Sequence, residues 1–174
     1  MNAFAPLTPV GSRPGVRLPA WAGAALIVVA CAAVEIGGGL ATFPAIASGW
    51  YDMLRRPAWN PPNWAFGPMW TILFVAMAVA GCIVWSRRWR SPVGLAMALF
   101  VAQLMANGTW SVLFFFMRSP TAALIDIGLL WILIGLTMLA FFRISRLAGW
   151  LLVPYLVWVS FAAVLNAEIV RLNP

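Results

Sequence analysis

Long apolar runs separated by short polar punctuation frame this chain. A hydrocarbon core of about 30 Å is crossed by about 20 apolar residues in helical form. Five stretches reach that length, at about residues 21–43, 64–85, 92–116, 120–142 and 149–170. Arg87, Arg88 and Arg90 close the second. Ser91-Pro92 and Ser119-Pro120 open the third and fourth, each setting an N-cap serine before a proline at the first helical position. The fifth carries Pro154. Five such runs on short connections predict an all-α integral membrane protein, a five-transmembrane-helix bundle occupying residues 20–174. Residues 1–19 are rich in proline, contain Gly11, Arg13, Gly15 and Arg17, and have no apolar period; they read as a poorly ordered tail. Two arginines before an apolar run imitate a signal peptide. The run is too long, however, and no clean small-residue cleavage site precedes a polar domain, so it reads as an uncleaved first span.

The polar break between the first two runs, residues 44–63, is unlike the others. From Trp50 to Trp70 the chain reads WYDMLRRPAWNPPNWAFGPMW, with Trp50, Tyr51, Trp59, Trp64 and Trp70 among Pro57, Pro61, Pro62 and Pro68. Rings with one polar edge suit a membrane–water boundary. A belt is usually one or two residues deep, whereas this is a whole loop stiffened by proline. A lid over a ligand at the mouth of a bundle is the alternative to a simple interfacial belt.

Composition sharpens the class. The chain is 64% hydrophobic and 9% charged, far from the usual soluble domain. Its formal charge of +7 comes from 11 arginines and no lysine, against Glu35, Asp52, Asp126 and Glu168. Arg13, Arg17, Arg87, Arg88, Arg90, Arg143 and Arg146 fall on the N-terminal side of the five spans; Arg55, Arg56, Arg118 and Arg171 fall on the other. That bias predicts a multi-pass protein of a bacterial membrane, with a cytoplasmic N-terminus and an outward aromatic loop if that membrane is the inner one. Basic residues among aromatics also occur at nucleic-acid sites, but five spans exclude that partner. Histidine is absent, and Cys31 and Cys82 both lie within spans without metal-ligand spacing, so no metal or cofactor is expected.

Four features remain as candidate chemistry. In the third span Gly94, Ala98, Ala102 and Ala106 recur every four residues, a small-residue stripe of the kind that lets helices approach in lipid, and thus a candidate homodimer surface. Gln103 and Asn107 lie on an adjoining face continued by Trp110 and Phe114. They suit either interhelical hydrogen bonds or a pocket wall of amides among aromatics. Glu35, inside the first span, is costly to bury in charged form and is either a functional carboxyl or one bonded to a neighbouring helix. Arg55 and Arg56 suit lipid headgroups or a clamp on ligand carboxylates.

The pattern Trp50-Tyr51-x-x-Leu54-x-x-Pro57-x-Trp59-Asn60-Pro61-Pro62, followed by Trp64, Phe66 and Trp70, resembles the signature of the tryptophan-rich sensory protein family, whose eukaryotic members are the translocator proteins or peripheral-type benzodiazepine receptors. Gln103-Leu104, Asn107, Trp110 and Phe114-Phe115 extend the likeness, as do Pro154-Tyr155-Leu156, Trp158 and Leu165-Asn166, so that it covers residues 22–172. The resemblance implies a five-helix bundle, commonly a homodimer, with a ligand cavity under the first loop. It implies porphyrins such as protoporphyrin IX, and isoquinoline carboxamide or benzodiazepine-type molecules, as ligands. Its motif positions put Tyr51, Pro61, Trp70, Phe74, Asn107, Trp110, Trp158 and Ala162 at the site. Ala167 stands where an animal sterol motif has an aromatic, which argues against sterol transport.

Function then reads first as a porphyrin-binding sensor or transporter that influences tetrapyrrole metabolism without covalent chemistry. The resemblance also implies an enzymatic alternative, light-dependent porphyrin degradation with Trp70 and Trp158 as the reactive indoles. Proton-coupled export centred on Glu35 is the third reading.

Overall fold

The computed structural model describes residues 19–174; the expected N-terminal tail, apart from Pro19, lies outside them. The described residues contain helices and connections but no strand. α1 (Ala20–Ala47) leads through a tight turn to a short α2 (Trp50–Met53), and α3 (Asn63–Ser86) follows. α4 (Gly94–Ser111) continues into a π turn at Val112–Phe116, and α5 is Pro120–Ile144. α6 (Arg146–Leu151) and α7 (Val153–Leu172) complete the chain. Five helical segments are long and apolar enough to cross a membrane, α6 and α7 together making the fifth.

Local chemistry sets the ends. α1 runs through Pro44 as far as Ala47, so part of the expected 44–63 loop is helical. Gly49, at φ 70°, makes the reversal into α2, a conformation that costs a residue without Cβ least. Ser119 and Pro120 do stand as N-cap and first helical residue of α5, although the serine side chain makes no capping bond. The expected equivalent at Ser91-Pro92 is corrected: α4 starts at Gly94, with Val93 as its N-cap. Ser91 is taken up by the preceding turn, where its N–H and that of Arg90 both bond the Arg87 carbonyl. Pro154 likewise does not sit within one continuous helix. It lies in the first turn of α7, where the missing N–H leaves no internal bond unmade, and the span breaks at Leu152.

Lipid tails are as apolar as leucine, so burying apolar surface between spans gains little; close packing and polar contacts hold a membrane bundle together. Met77, Ala80 and Val84 of α3, Phe141 of α5, and Tyr155 and Val159 of α7 are fully buried. Small residues permit the approach of α1 to α3. A Cβ on Gly81 would lie 2.9 Å from Ile27 Cγ2 and 3.2 Å from Phe100 Cζ. Phe100 stacks on Phe141 at 5.7 Å, joining α4 to α5. Leu26, Leu40, Leu95, Ile125 and Val157 point outward, as lipid-facing positions should.

Candidate functional site

At the end of the bundle carrying α2, the helices part around a cavity of about 440 Å³ walled by α1, α3, α4 with its π turn, and α7. That volume falls in the range of small-molecule sites, about 300–1,000 Å³. Helical spacing builds the wall. Phe66, Trp70 and Phe74 stand four apart on α3, while Trp158, Ala162, Leu165 and Ile169 share a face of α7. Asn107, Trp110, Ser111 and Phe114 do the same on α4 and its continuation. The π turn, closed by a 2.8 Å bond from the Met117 N–H to the Val112 carbonyl, resets the helical phase just where Phe114 and Phe115 meet the loop. Such turns recur at functional sites.

The rings meet mostly edge to face, the arrangement their quadrupoles favour. Trp70 and Trp158 are 6.5 Å apart at 89°, and Phe66 and Trp158 are 5.9 Å apart. Tyr51 reaches down from α2 to within 5.7 Å of Phe115 and 6.4 Å of Phe114, between ring centroids. It is only 5% exposed, which makes α2 the cavity's roof.

Amides tie this wall together. Asn107 Nδ2 donates to the Tyr155 hydroxyl at 3.0 Å. Trp110 Nε1 donates to Asn166 Oδ1 at 3.1 Å, and Asn166 Nδ2 donates to the Pro120 carbonyl at 2.9 Å. One asparagine thus joins α4, α5 and α7. On the opposite wall Thr71 Oγ1 donates to Glu35 Oε1 at 2.5 Å, joining α1 to α3. The Trp158 indole N–H is buried without a partner among the described residues.

The loop is fastened from outside. Asn173 Oδ1 accepts from the Arg55 N–H, and Asn173 Nδ2 donates to the Arg55 carbonyl, both at 3.0 Å. Arg56 pairs with Asp52 at 3.1 Å, donates to Asn63 Oδ1 at 3.3 Å, and lies over the Tyr51 ring at 4.7 Å. Tyr51 in turn donates to Asn60 Oδ1 at 3.3 Å. Burial pushes its phenol above the ordinary tyrosine range, while Arg56 and Asn60 pull the other way, so it stays neutral at physiological pH.

Of the residues singled out from the sequence, Tyr51, Trp70, Phe74, Asn107, Trp110, Trp158 and Ala162 come together on the wall. Pro61 does not; it lines a separate, open depression with Arg56, Asn60 and Asn63. Pro62, extended at φ −63° and ψ 145°, is the N-cap of α3, so Pro61 precedes the helix whose face walls the cavity. Neither Arg55 nor Arg56 lines the cavity, though Asn63, bonded to Arg56, does. Gln103 is buried behind the wall, with Nε2 3.7 Å from Met77 Sδ. The small-residue stripe turns across the helix surface: Gly94 and Ala98 are exposed, Ala102 is half-buried and Ala106 is buried. Thr71, Ser111 and Asn63 on the wall were not foreseen. Thr71 had a signal available, as a hydroxyl in an apolar span beside Trp70.

Residues 26–172 match the TspO/MBR family. The chain is 52% identical over 151 residues to the tryptophan-rich protein TspO of Chlorobaculum tepidum, an alignment covering 86% of this chain and 95% of the relative. It is 38% identical over 153 residues to the tryptophan-rich sensory protein of Cereibacter sphaeroides, covering 88% and 92%. It is 34% identical over 143 residues to the translocator protein of Sus scrofa, covering 80% and 85%.

Proposed function

Because the chain belongs to the TspO/MBR family, a family of membrane sensory and translocator proteins, we propose that it binds a porphyrin, with protoporphyrin IX as the reference ligand, in the cavity under its aromatic loop. The observation that carries this reading is the wall itself. Trp70, Phe74, Trp110, Phe114 and Trp158 surround about 440 Å³, and a flat apolar macrocycle is what such ring faces and edges receive best. Isoquinoline carboxamide and benzodiazepine-type molecules offer the same flat aromatic surface to the same walls. Among the described residues no cation lines the cavity, so the ligand's carboxylates would sit at the rim, where Arg56 reaches Asn63. In this reading the loop closes over ligand and the bundle responds. In this reading the protein acts in a bacterial membrane, with its N-terminus cytoplasmic if that membrane is the inner one, in keeping with the arginine bias, and pairs with a second copy through α4.

A second reading rests on Trp158, whose buried N–H has no protein partner and whose ring stands edge-on to Trp70. Light would excite a porphyrin bound against either indole; one electron would pass from the indole to the porphyrin, oxidising the one and reducing the other, and dissolved dioxygen would be the oxidant for the pigment's further destruction. One experiment separates the two. Protoporphyrin IX is titrated into purified protein, and tryptophan emission and porphyrin absorbance are followed in darkness and in light. Saturable quenching with unchanged absorbance is the outcome of binding alone. Light-dependent loss of the porphyrin bands beyond a protein-free control is the outcome of degradation. Absence of quenching at micromolar ligand overturns both.

A further inference from the structure

Among the residues lining the cavity, Glu35 is the one with a formally charged side chain. The other acids are placed differently. Asp52 is paired with Arg56, and Glu168 with Arg171, at the loop end of the bundle. Asp126 stands off the cavity wall, with Oδ2 buried and without a partner. The Glu35 carboxyl, half-buried on α1, has its Oε1 held by the Thr71 hydroxyl at 2.5 Å. Among the described residues no other group bonds it. A carboxyl in a lipid-embedded wall with one neutral partner is expensive unless something else meets it. Trp70 and Phe74, which flank Thr71 on α3, line the same cavity, and ring faces attract cations.

From this arrangement we propose that Glu35 and Thr71 form a subsite for a hydrogen-bond-donating nitrogen, above all a protonated amine, carried on a flat aromatic ligand. The proposal rests on the reading of this cavity as a ligand site and adds a chemical selectivity to it. Thr71 holds one oxygen of a carboxyl that lines the cavity, and the other has no bond among the described residues, so it is left for ligand. An incoming ammonium gains a charge-assisted hydrogen bond there while its ring system stacks on Trp70. The cavity is thereby polarised: a donor group is received at the α1–α3 wall, and acidic groups are left to the rim by Arg56.

The test compares two probes that share one ring system, 1-pyrenemethylamine and 1-methylpyrene, by tryptophan quenching of the full chain in phosphatidylcholine nanodiscs. Partition into lipid is then common to wild type and variants and cancels in their ratio. The wild type is expected to prefer the amine at least tenfold. Glu35→Gln should reduce that preference about tenfold, with an unchanged melting temperature in the same nanodiscs certifying its fold. Thr71→Val should reduce it about threefold. Competition on the wild type answers without any variant: the amine must displace protoporphyrin IX at least tenfold better than 1-methylpyrene does. Equal displacement, or an amine preference that survives Glu35→Gln, overturns the subsite. Binding of protoporphyrin IX with no saturable response to either pyrene also overturns it and leaves the porphyrin reading standing. Failure of all three probes to bind overturns the ligand-cavity reading itself.

Discussion

Asn173 grips Arg55 by both edges of its backbone, taking the N–H on Oδ1 and giving Nδ2–H to the carbonyl, each at 3.0 Å. The last residues of α7 therefore hold the loop that roofs the cavity. Nδ2 also donates to the Ile169 carbonyl at 2.8 Å, so the amide is oriented by the helix it ends. A side-chain amide that pairs with a backbone unit in this way fixes position without regard to the partner's side chain.

Asn173→Ala removes both bonds to the loop. At about 0.5–1.5 kcal/mol each, in a partly exposed setting, their loss should favour the open loop by about 1.4 kcal/mol. Release of protoporphyrin IX should accelerate about tenfold, read by stopped-flow recovery of tryptophan emission, with little change in melting temperature. An unchanged dissociation rate would show that the loop is held by its other ties, Tyr51 on Phe114 and Phe115 and Arg56 on Asn63.

Arg55 and Arg56 should separate cleanly. Arg55 is gripped through its backbone, so Arg55→Gln should change porphyrin affinity less than twofold. Arg56 stands at the rim, paired with Asp52 and Asn63, and screening by solvent limits what it contributes. Arg56→Gln should weaken protoporphyrin IX about threefold to tenfold and leave its dimethyl ester unaffected, measured by the same quenching titration. An equal loss for acid and ester would assign Arg56 to holding Tyr51 rather than ligand.

The two wall indoles should also part company. Trp158 Nε1 has no protein partner, whereas Trp110 Nε1 donates to Asn166. Trp158→Phe keeps a ring and removes a donor left for ligand, so dark porphyrin affinity should fall about fivefold, the worth of one hydrogen bond, at unchanged thermal stability. Trp110→Phe strands the Asn166 amide that joins three helices and should lower the melting temperature instead. Calorimetric or near-ultraviolet melting beside the titration tells them apart.

These contrasts mark where the sequence stopped being informative. Five apolar runs were enough to read the bundle, because span length is imposed by bilayer thickness and needs no tertiary information. Helical spacing put Asn107, Trp110 and Phe114 on one face, and family likeness pointed to Tyr51, Trp70 and Trp158. Local pattern stopped short where neighbouring chain decides. Ser91-Pro92 reads as a helix start, yet the turn at Arg87 claims Ser91. Pro61 belongs to the same motif as Tyr51, yet it precedes α3 and lines a separate depression instead of the cavity. Glu35 does bond a neighbouring helix, one of the two readings open to it, but its partner lies 36 residues away and follows from no local pattern.

Gly81 tests how tightly the lower bundle is packed. A Cβ there would press on Ile27 and Phe100, whereas one on Gly135 meets nothing within 4 Å. Forcing extra carbons into a filled interior costs about 1–3 kcal/mol. Gly81→Leu should lower the melting temperature in detergent by several degrees, and Gly135→Leu should leave it almost unmoved. Equal behaviour of the two would mean that α1 yields readily at Ile27.

The α4 stripe makes the last prediction, concerning the proposed homodimer. Small residues promote helix association in lipid only where they face outward, because their effect is to let a second backbone come close. Gly94 and Ala98 meet that condition, Ala102 meets it in part, and Ala106 faces the interior of its own bundle. Ala98→Leu should therefore shift the protein from dimer to monomer while preserving porphyrin binding. Ala106→Leu should do the reverse, lowering thermal stability and leaving whatever folded protein remains dimeric. Light scattering coupled to size exclusion in detergent, repeated as energy transfer between labelled copies in nanodiscs, reads both. A dimer that survives Ala98→Leu, with Ala102→Leu equally silent, would place the contact on another helix, since bulk at two adjacent turns cannot be accommodated by a closely packed interface.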